Sequence, residues 1–290
     1  MIVITGAFGF IGSNMVEYLT SLGRDDLVLI DLPCVCASAR TRAYPRVPLR
    51  ARVHPWSMDV VLPEGDIDGV VHLGAISDTL EKDKNKIDRF NREYTSVLAS
   101  SCKERRIPMV FASTAAVYGN GSGPLNLYAQ SKLQSEVDIA DDAVCFRLFN
   151  VYGKNEFHKG RMSSVILKWW KELQMEGSIR LFEGSNEYRR DFVHVLDVCR
   201  VMWKGMELSS GVYDLGTGTS HSFDSLADMV IGCHGSGNKV SVPMPQDLRD
   251  QYQTNTMAFA PSWMGDFIPL SEGVRLYCEH LKGKQWLPES

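Results

Sequence analysis

Three features are absent from this sequence of 290 residues: an excess of basic side chains, a long apolar run and a regular cysteine spacing. The formal net charge is -4, which argues against the broad basic surface of a nucleic-acid-binding protein. No apolar run approaches the roughly 18 residues of a transmembrane helix. With 44% hydrophobic and 23% charged residues, the composition instead suits a globular enzyme with a sizeable core.

The seven cysteines are odd in number and scattered along the chain. Cys34 and Cys36 form a C-x-C pair, but no second pair follows to complete a zinc site, so we expect no bound metal. The first predicted strand starts at once in MIVIT, with no pattern of a signal peptide before it. These features lead us to expect a reducing, cytoplasmic location.

Short β-rich runs alternate with helical patterns through the first half of the chain. The strands are apolar on both faces, which is typical of a parallel sheet covered by helices on both sides. The predicted strands are 2–5, 27–31, 69–73, 108–113 and 144–149, and the predicted helices are 12–22, 86–105 and 127–138. The pattern predicts an α/β fold with a Rossmann-type doubly wound parallel sheet.

The second half is less regular and predicts a smaller α/β substrate-binding lobe. Its predicted helices are 162–176, 196–207 and 222–232, and its predicted strands are 191–195 and 212–215. We predict a dinucleotide-binding domain from 1–149, 191–220 and roughly 257–270, and a substrate lobe from 150–190, 221–256 and 271–290. The stretch 33–58, with four prolines and five arginines, fits no clear element and is predicted to be a surface excursion.

Three glycines follow the first predicted strand: Gly6, Gly9 and Gly12, in the spacing G-x-x-G-x-x-G. The spacing alone is weak evidence, because a glycine-rich structural turn gives the same pattern. Here an amphipathic helix follows, which is the setting where glycines let the backbone approach a pyrophosphate at a helix N-terminus. We therefore predict a dinucleotide site at these residues.

The second predicted strand ends in Asp31, whose carboxylate is placed to accept hydrogen bonds from ribose hydroxyls and would favour NAD. Arg40 and Arg42 follow, and either would favour NADP by pairing with a 2′-phosphate. Asp59 is equally well interpreted as an adenine contact or as an ordinary loop aspartate. The sequence leaves the choice between the two cofactors open.

Small residues follow the strand at 69–73. Gly74 and Ala75 leave room for a cofactor to pass close to the backbone. His72, at the end of that strand, is interpreted as a packed residue rather than a catalytic one.

Tyr128 and Lys132 in YAQSK lie four residues apart, on one face of a predicted helix. Thr114 ends the preceding strand, at the sheet edge where ligands bind in such folds. Hydride transfer from an alcohol requires a base, and a tyrosine serves if a nearby ammonium lowers its pKa. We interpret Tyr128, Lys132 and Thr114 as a catalytic set; the alternative is an incidental tyrosine on a surface helix.

The strand, the glycines, the threonine and the Y-x-x-x-K pattern over 1–150 resemble the extended short-chain dehydrogenase/reductases. Three later segments make the resemblance more specific: FRLFNVYGKNEFHKGRMSSV, LFEGSNEYRRDFVHVLDV and YDLGTGTSHSF. Together they resemble the ADP-L-glycero-D-manno-heptose 6-epimerases along essentially the whole chain.

That resemblance implies an isomerase that inverts C6 of ADP-D-glycero-D-manno-heptose, in lipopolysaccharide core biosynthesis. Hydride would leave C6 for NADP, and the 6-keto intermediate would take it back on its other face. Tyr128 and Lys159, the lysine of HKG, would be the two acid/base groups. Lys159 has two alternative roles, as a phosphate ligand or as a solvated lysine.

The resemblance also implies a set of binding residues. Arg190 would bind the diphosphate and Phe182 would pack on adenine; ion pairing of Arg190 with Asp191, Asp197 or Glu187 and core packing of Phe182 are the alternatives. The implied cofactor contacts are Phe10, Ile11, Asn91 and Val151, besides Tyr128, Lys132 and Lys159. The implied substrate contacts are Asn150, Phe182, Glu183, Gly184, Ser185, Arg190 and Tyr252.

Departures from the family pattern keep two questions open. Leu32 replaces an asparagine after Asp31, which bears on NADP or NAD as cofactor. Arg161 replaces a serine and Lys168 a histidine, and both add positive charge near the sugar nucleotide.

Three alternative functions remain for the protein: a UDP- or GDP-sugar 4-epimerase, a 4,6-dehydratase and a non-catalytic dinucleotide-binding regulator. We expect a small-molecule substrate and a homo-oligomer, with no nucleic-acid or membrane partner.

Overall fold

The computed structural model describes residues 1–39, 47–48, 50–58, 62–249, 252–282 and 284. The predictions made for Arg40, Arg42 and Asp59 lie outside these residues.

A seven-stranded parallel sheet forms the centre of the first part of the molecule. Its strands are β1 (Ile2–Thr5), β2 (Leu27–Asp31), β3 (Arg52–Pro55), β4 (Gly69–His72), β5 (Met109–Thr114), β6 (Val144–Leu148) and β10 (Gly211–Leu215). They lie in the order β10-β6-β5-β4-β1-β2-β3. The order reverses beside β1, the switch point where such sheets bind ligands. The predicted α/β fold with a parallel sheet is confirmed.

Two smaller sheets come from the second half of the chain. One has three strands in the order β11-β9-β7, and the other pairs β12 with β8. Their bounds are β7 (Asn150–Tyr152), β8 (Ser178–Phe182), β9 (Arg189–His194), β11 (Ser220–Ser222) and β12 (Asn238–Val242). The prediction included only the strand near 191–195, because the others are short or alternate weakly between apolar and polar residues.

The described residues also form ten α-helices. They are α1 (Phe10–Ser21), α2 (Pro33–Ala39), α3 (Lys84–Ile87), α4 (Tyr94–Glu104), α5 (Leu127–Ile139), α6 (Val165–Glu176), α7 (Val195–Lys204), α8 (Phe223–His234), α9 (Gln246–Arg249) and α10 (Leu270–Leu281). None of them is both long and apolar enough to cross a bilayer.

Two predicted segments differ from the structure. The helix predicted at 86–105 is interrupted by a π-helical turn, Asp88–Glu93, in which the Asn91 carbonyl accepts hydrogen bonds from the hydroxyls of Thr95 and Ser135. The stretch 33–58, predicted to lack elements, contains α2 and β3. The strand β3 reads RVHP and is largely exposed, so it has no apolar alternation, and its proline is tolerated at the sheet edge.

The chain divides into two compact units. Unit 1 is Met1–Leu148 with Leu196–Leu215, and unit 2 is Phe149–Val195 with Gly216–Ser290. Unit 1 packs Val3, Val70, Tyr94 and Phe111 in its core, and unit 2 packs Trp169, Trp170, Phe223 and Tyr277. The domain bounds predicted from the sequence group segments by the ligand that they would bind, whereas units 1 and 2 are defined by packing. The predicted bounds therefore stay a prediction.

Candidate active site

The glycine loop of unit 1 joins β1 to α1. Gly6 has φ +64°, and a Cβ there would lie 2.7 Å from the Gly74 nitrogen. A Cβ at Gly12 would lie 2.0 Å from the Gly6 carbonyl oxygen. Gly9 is the N-cap of α1, where no side chain caps the helix. The tight loop and the uncapped twelve-residue helix fit the pyrophosphate of a dinucleotide.

The Asp31 carboxylate ties the end of β2 to this loop. One oxygen accepts from the Phe8 backbone N–H at 2.9 Å and the other from the Leu32 N–H at 2.8 Å. An ionised carboxylate has about four acceptor positions, so Asp31 retains capacity for ribose hydroxyls.

His72, at the end of β4, is fully buried and hydrogen-bonded through both ring nitrogens. The Thr95 hydroxyl donates to the Asn91 carbonyl, so it accepts from Nε2–H of His72 at 2.8 Å. Nδ1 then accepts from the Thr5 hydroxyl at 2.5 Å. Burial lowers the pKa of His72 to about 3, with a smaller contribution from Lys132. His72 is thus a neutral buried residue, as its sequence context indicated.

Asn91 is also fully buried, and its side chain holds the loop after β4 against α5. Its amide accepts from the Ile76 N–H at 2.8 Å and donates to the Ile76 carbonyl at 3.0 Å and the Ser131 hydroxyl at 2.9 Å. It therefore supports the segment that contains Gly74 and Ala75. Direct contact between Asn91 and a cofactor, like that of the buried Phe10 and the half-buried Ile11, stays a prediction.

Thr114 and Tyr128 come together in unit 1. Thr114 caps the short helix Ala115–Tyr118 by accepting from the Ala116 N–H at 3.2 Å. Burial raises the pKa of the Tyr128 phenol, and its hydrogen bond with Thr114 lowers it. Asn126 caps α5 and so fixes the first turn of the helix that carries Tyr128.

Lys132 lies one turn along α5 and is 2% exposed. Its ammonium donates to the Ala112 carbonyl at 2.7 Å and lies 4.3 Å from the centre of the Phe111 ring. Burial lowers its pKa to about 7, while Cys145 and Glu136 act in the opposite direction. Lys132 therefore lies close to its titration point at neutral pH. Its expected effect on the Tyr128 phenolate stays a prediction.

The prediction missed Glu136, one further turn along α5. This buried carboxylate accepts from Arg147 at 2.6 Å and from the Ser113 hydroxyl. It thereby joins α5 to β5 and β6. A charged residue four positions after Lys132, on the apolar face of a helix, is the sequence signal that could have revealed it.

In unit 2, Lys159 lies in the short helix Phe157–Met162, where Gly160 has φ +50°. Burial lowers its pKa, Glu156 raises it and Lys168 lowers it further. A lysine with a lowered pKa gives up its proton more readily than a solvated lysine does. The surroundings of Lys159 thus differ from those of a solvated loop lysine.

The other predicted sugar contacts of unit 2 are more accessible. Asn150 is exposed and Val151 is half-buried on β7, and Arg161 is exposed. Lys168, on α6, has an exposed side chain whose pKa is lowered by the surrounding protein, against opposing effects of Glu156 and Glu172.

The residues predicted to bind ADP form a turn, at 182–185, and belong to an aromatic cluster of Phe182, Tyr252 and Phe223. After Phe182 the chain turns at Gly184, φ +79°, with the Ser185 N–H donating to the Phe182 carbonyl at 3.0 Å and Glu183 exposed. The ring centre of Phe182 lies 6.1 Å from that of Tyr252. The turn and the cluster are therefore neighbours within unit 2.

Arg190 is 7% exposed and lies against this cluster. Its guanidinium carbon is 5.0 Å from the centre of the Tyr252 ring and 5.4 Å from that of Phe223, and Nη1 donates to the Arg189 carbonyl at 2.8 Å. Burial lowers its pKa. Among the described residues, no carboxylate pairs with it, so the ion-pair alternatives for Arg190 were wrong.

Asp191 and Asp197 have other partners. The Asp191 carboxylate accepts from the backbone N–H groups of Thr217, Gly218 and Ala258 at 2.8, 2.9 and 3.1 Å. Asp197 pairs with Arg200 at 2.9 Å. The prediction missed the role of Asp191 because its partners are up to 67 residues away in the sequence.

The model of the NAD dependent epimerase/dehydratase family matches residues 2–216 of the chain. The chain belongs to this family. The match covers the glycine loop, Thr114, Tyr128, Lys132 and the Lys159 segment, so the predicted enzyme class is confirmed. An enzyme of the NAD-dependent epimerase/dehydratase family uses a nicotinamide cofactor, and the glycine loop fits one.

Known proteins resemble the chain along most of its length. It is 38% identical to the ADP-L-glycero-D-manno-heptose-6-epimerase of Alkalilimnicola ehrlichii, over 89% of this chain and 88% of that protein. This confirms the family resemblance read from the sequence.

Two solved structures confirm the fold. The ADP-L-glycero-D-manno-heptose-6-epimerase of Helicobacter pylori is 23% identical with a TM-score of 0.81, covering 98% of this chain and 96% of that one. A UDP-glucuronic acid 4-epimerase from Bacillus cereus, in complex with UDP-glucuronic acid and NAD, is 22% identical with a TM-score of 0.75, covering 97% and 98%.

Proposed function

We propose that this enzyme converts ADP-D-glycero-D-manno-heptose to its L-glycero epimer by inverting C6. The observation that carries the proposal is Lys159, a half-buried lysine whose pKa its surroundings lower, as a second candidate acid/base group besides the half-buried Tyr128. Inversion through a 6-keto intermediate needs one such group on each face of the carbon. The relative of 38% identity, named for this reaction, supports the same substrate.

Tyr128 and Lys159 are the acid/base pair of the proposal. A nicotinamide cofactor, held by the glycine loop and Asp31, would supply reversible hydride transfer at C6. During that cycle one of the two groups takes the proton from the C6 hydroxyl, and the other donates a proton when the carbonyl is reduced. Thr114 orients the reacting oxygen, and Lys132 sets the proton affinity of Tyr128.

The ADP portion is assigned to the turn and the aromatic cluster of unit 2. A buried guanidinium that pairs with no carboxylate of the described residues suits the diphosphate, since arginine offers a planar fork of donors. The assigned substrate contacts are Asn150, Arg161, Lys168, Phe182, Glu183, Gly184, Ser185, Arg190 and Tyr252. Val151, Gly74 and Ala75 are assigned to the cofactor.

The choice between NADP and NAD belongs to this proposal. The sequence resemblance to the heptose 6-epimerases favours NADP. The description of the matching family, which names NAD, and the carboxylate of Asp31, which suits an unmodified ribose, favour NAD. Mass spectrometry of the nucleotide released on denaturation decides between them.

We also propose a cytoplasmic homo-oligomer. None of the seven cysteines, all of which lie in described residues, forms a disulfide, as a reducing compartment requires. Light scattering of the purified protein tests the assembly, and a monomer at micromolar concentration would contradict it.

The decisive experiment is NMR of the purified enzyme with ADP-D-glycero-D-manno-heptose and no added cofactor. The expected result is conversion to the L-glycero epimer, with UDP-glucose left unchanged in a matched sample. Conversion of UDP-glucose but not of the heptose would transfer the assignment to a 4-epimerase. A protein that converts neither and releases no nucleotide would contradict both.

A further inference from the structure

Glu156 is a fully buried carboxylate that the proposed reaction does not use. It accepts three hydrogen bonds: from the Ser164 N–H at 2.6 Å, from the Ser164 hydroxyl at 2.5 Å and from the Tyr277 hydroxyl at 2.8 Å. Burial raises the pKa of this carboxyl, whereas its hydrogen bonds with Ser164 and Tyr277 lower it and favour the ionised form. These contacts hold the Glu156 carboxyl in one position inside unit 2.

The contacts of Glu156 close a loop around Lys159. Its backbone carbonyl accepts from the Lys159 N–H at 3.0 Å, and its side chain holds Ser164, the N-cap of α6. Between these ends the chain turns at Gly160. Through Tyr277 the same carboxylate anchors the loop to α10. One residue thus contacts both ends of this segment, through its backbone carbonyl at Lys159 and through its side chain at Ser164.

The charges facing Lys159 within unit 2 act in opposite directions. The carboxylate of Glu156 favours the ammonium form, and the ammonium of Lys168 on α6 disfavours it. The group that α10 contributes beside Glu156 is the neutral phenol of Tyr277. His158 and Arg161 flank Lys159 in the chain and carry further hydrogen bonds or charge contacts.

From this geometry we infer that Glu156 is a positioning residue for Lys159, holding the loop that carries the lysine between Ser164 and Tyr277. The inference rests on the proposed acid/base role of Lys159. A buried negative charge keeps the lysine able to carry a proton, and the loop contacts keep its ammonium in one place.

The test compares the pH profiles of kcat for Glu156→Gln and Glu156→Asp. The glutamine keeps the size of the side chain but removes its charge, so we expect one limb of the profile to move to lower pH by about 0.5–1 unit. The aspartate keeps the charge but is one methylene too short to hold both ends. We expect it to lower kcat by about 10–100-fold with both limbs in place.

Two further variants keep the outcome interpretable. Glu176→Gln removes a carboxylate that pairs with Arg180 at the far end of α6, and we expect it to leave the profile unchanged. Tyr277→Phe keeps the charge of Glu156 and removes one donor, so it tests the anchor if the Gln variant does not fold. We expect a lower kcat with unshifted limbs.

Two results would overturn the inference: a Glu156→Gln enzyme with wild-type limbs, or a Tyr277→Phe enzyme with wild-type kcat. Lys159→Met, measured in parallel, separates this failure from that of the proposed function. If Lys159→Met retains turnover, the acid/base assignment itself fails. If it is inactive while Glu156→Gln behaves as wild type, only the role of Glu156 is lost.

Discussion

The two units treat a strand arginine in opposite ways. In unit 1 the guanidinium of Arg147, on β6, pairs with the buried Glu136 carboxylate. In unit 2 the buried Arg190 has aromatic faces and one backbone carbonyl, and no described carboxylate pairs with it. A desolvated cation without a counter-charge costs folding free energy and is suited to bind an anion. Unit 1 is thus arranged for positioning, and unit 2 for recognition of charge.

The strongest test of this contrast is Tyr128→Phe, in unit 1. We expect epimerisation to fall about 10²–10⁴-fold, because the variant lacks the proton-exchanging hydroxyl. The phenyl ring preserves the packing of α5, so the retained nucleotide, measured by absorbance after denaturation, should not change. Wild-type turnover in this variant would show that the Tyr128 hydroxyl takes no part in the reaction.

Arg190→Leu should separate binding from folding in unit 2. We expect KM for the sugar nucleotide to rise roughly 10–100-fold, since a charge-assisted hydrogen bond is lost. Without ligand, the free energy of unfolding in urea should stay constant or rise by about 1 kcal/mol, because the variant removes a buried charge that no carboxylate of the described part of the chain pairs with.

The control for this variant is Arg180→Leu, at an exposed arginine that pairs with Glu172 and Glu176. It should change neither KM nor stability by much. A clear loss of stability in Arg190→Leu alone would mean that the arginine is a structural element and not a ligand-binding one.

The buried, neutral His72 tests how unit 1 excludes an unpaired charge from its core. Its pKa falls from 6.5 to about 3 in the folded state, so its neutral form contributes stability above pH 6.5 that is lost as the pH falls toward 3. The loss is about 1.4 kcal/mol per pH unit in that window. Urea unfolding of wild type and His72→Gln between pH 7 and pH 4 measures it; equal slopes for the two proteins would show that His72 does not titrate this way.

Asp31→Asn should have the smallest effect. Loss of the charge weakens the hydrogen bonds from the ribose, so we expect NAD affinity to fall roughly 3–10-fold while NADP affinity changes less. Asp26→Asn, before the same strand and paired with Arg24, is the matched control. Titration calorimetry of the nucleotide-stripped protein measures both, and equal changes for the two cofactors would remove Asp31 from the ribose site.

Local pattern was sufficient for six of the seven strands of the central sheet, all except the exposed edge strand β3. Strands β1 and β2 lie where their apolar runs predicted, and α5 begins at 127 as predicted, because Asn126 caps it. The π-turn at Asp88–Glu93 was missed because its cause is a hydroxyl from α5, 44 residues away. Local propensity contains no information about such a partner.

The site was predictable to the extent that its residues form contiguous motifs. The glycine loop and the Thr114–Tyr128 pair follow from spacing within unit 1. Glu156 and Asp191 were missed as organising residues, since each stands in the sequence as an ordinary acidic residue. Their functions depend on donors brought together only by the tertiary fold.

The order of strands has a consequence for synthesis on the ribosome. Strand β10 pairs with β6 at the edge of the seven-stranded sheet, yet it follows the whole segment Phe149–Val195 of unit 2. At roughly 5–20 residues per second, β6 emerges several seconds before its edge partner. During that interval the nascent chain exposes the hydrogen-bonding edge of β6, the place where a chaperone or another nascent copy can add a strand.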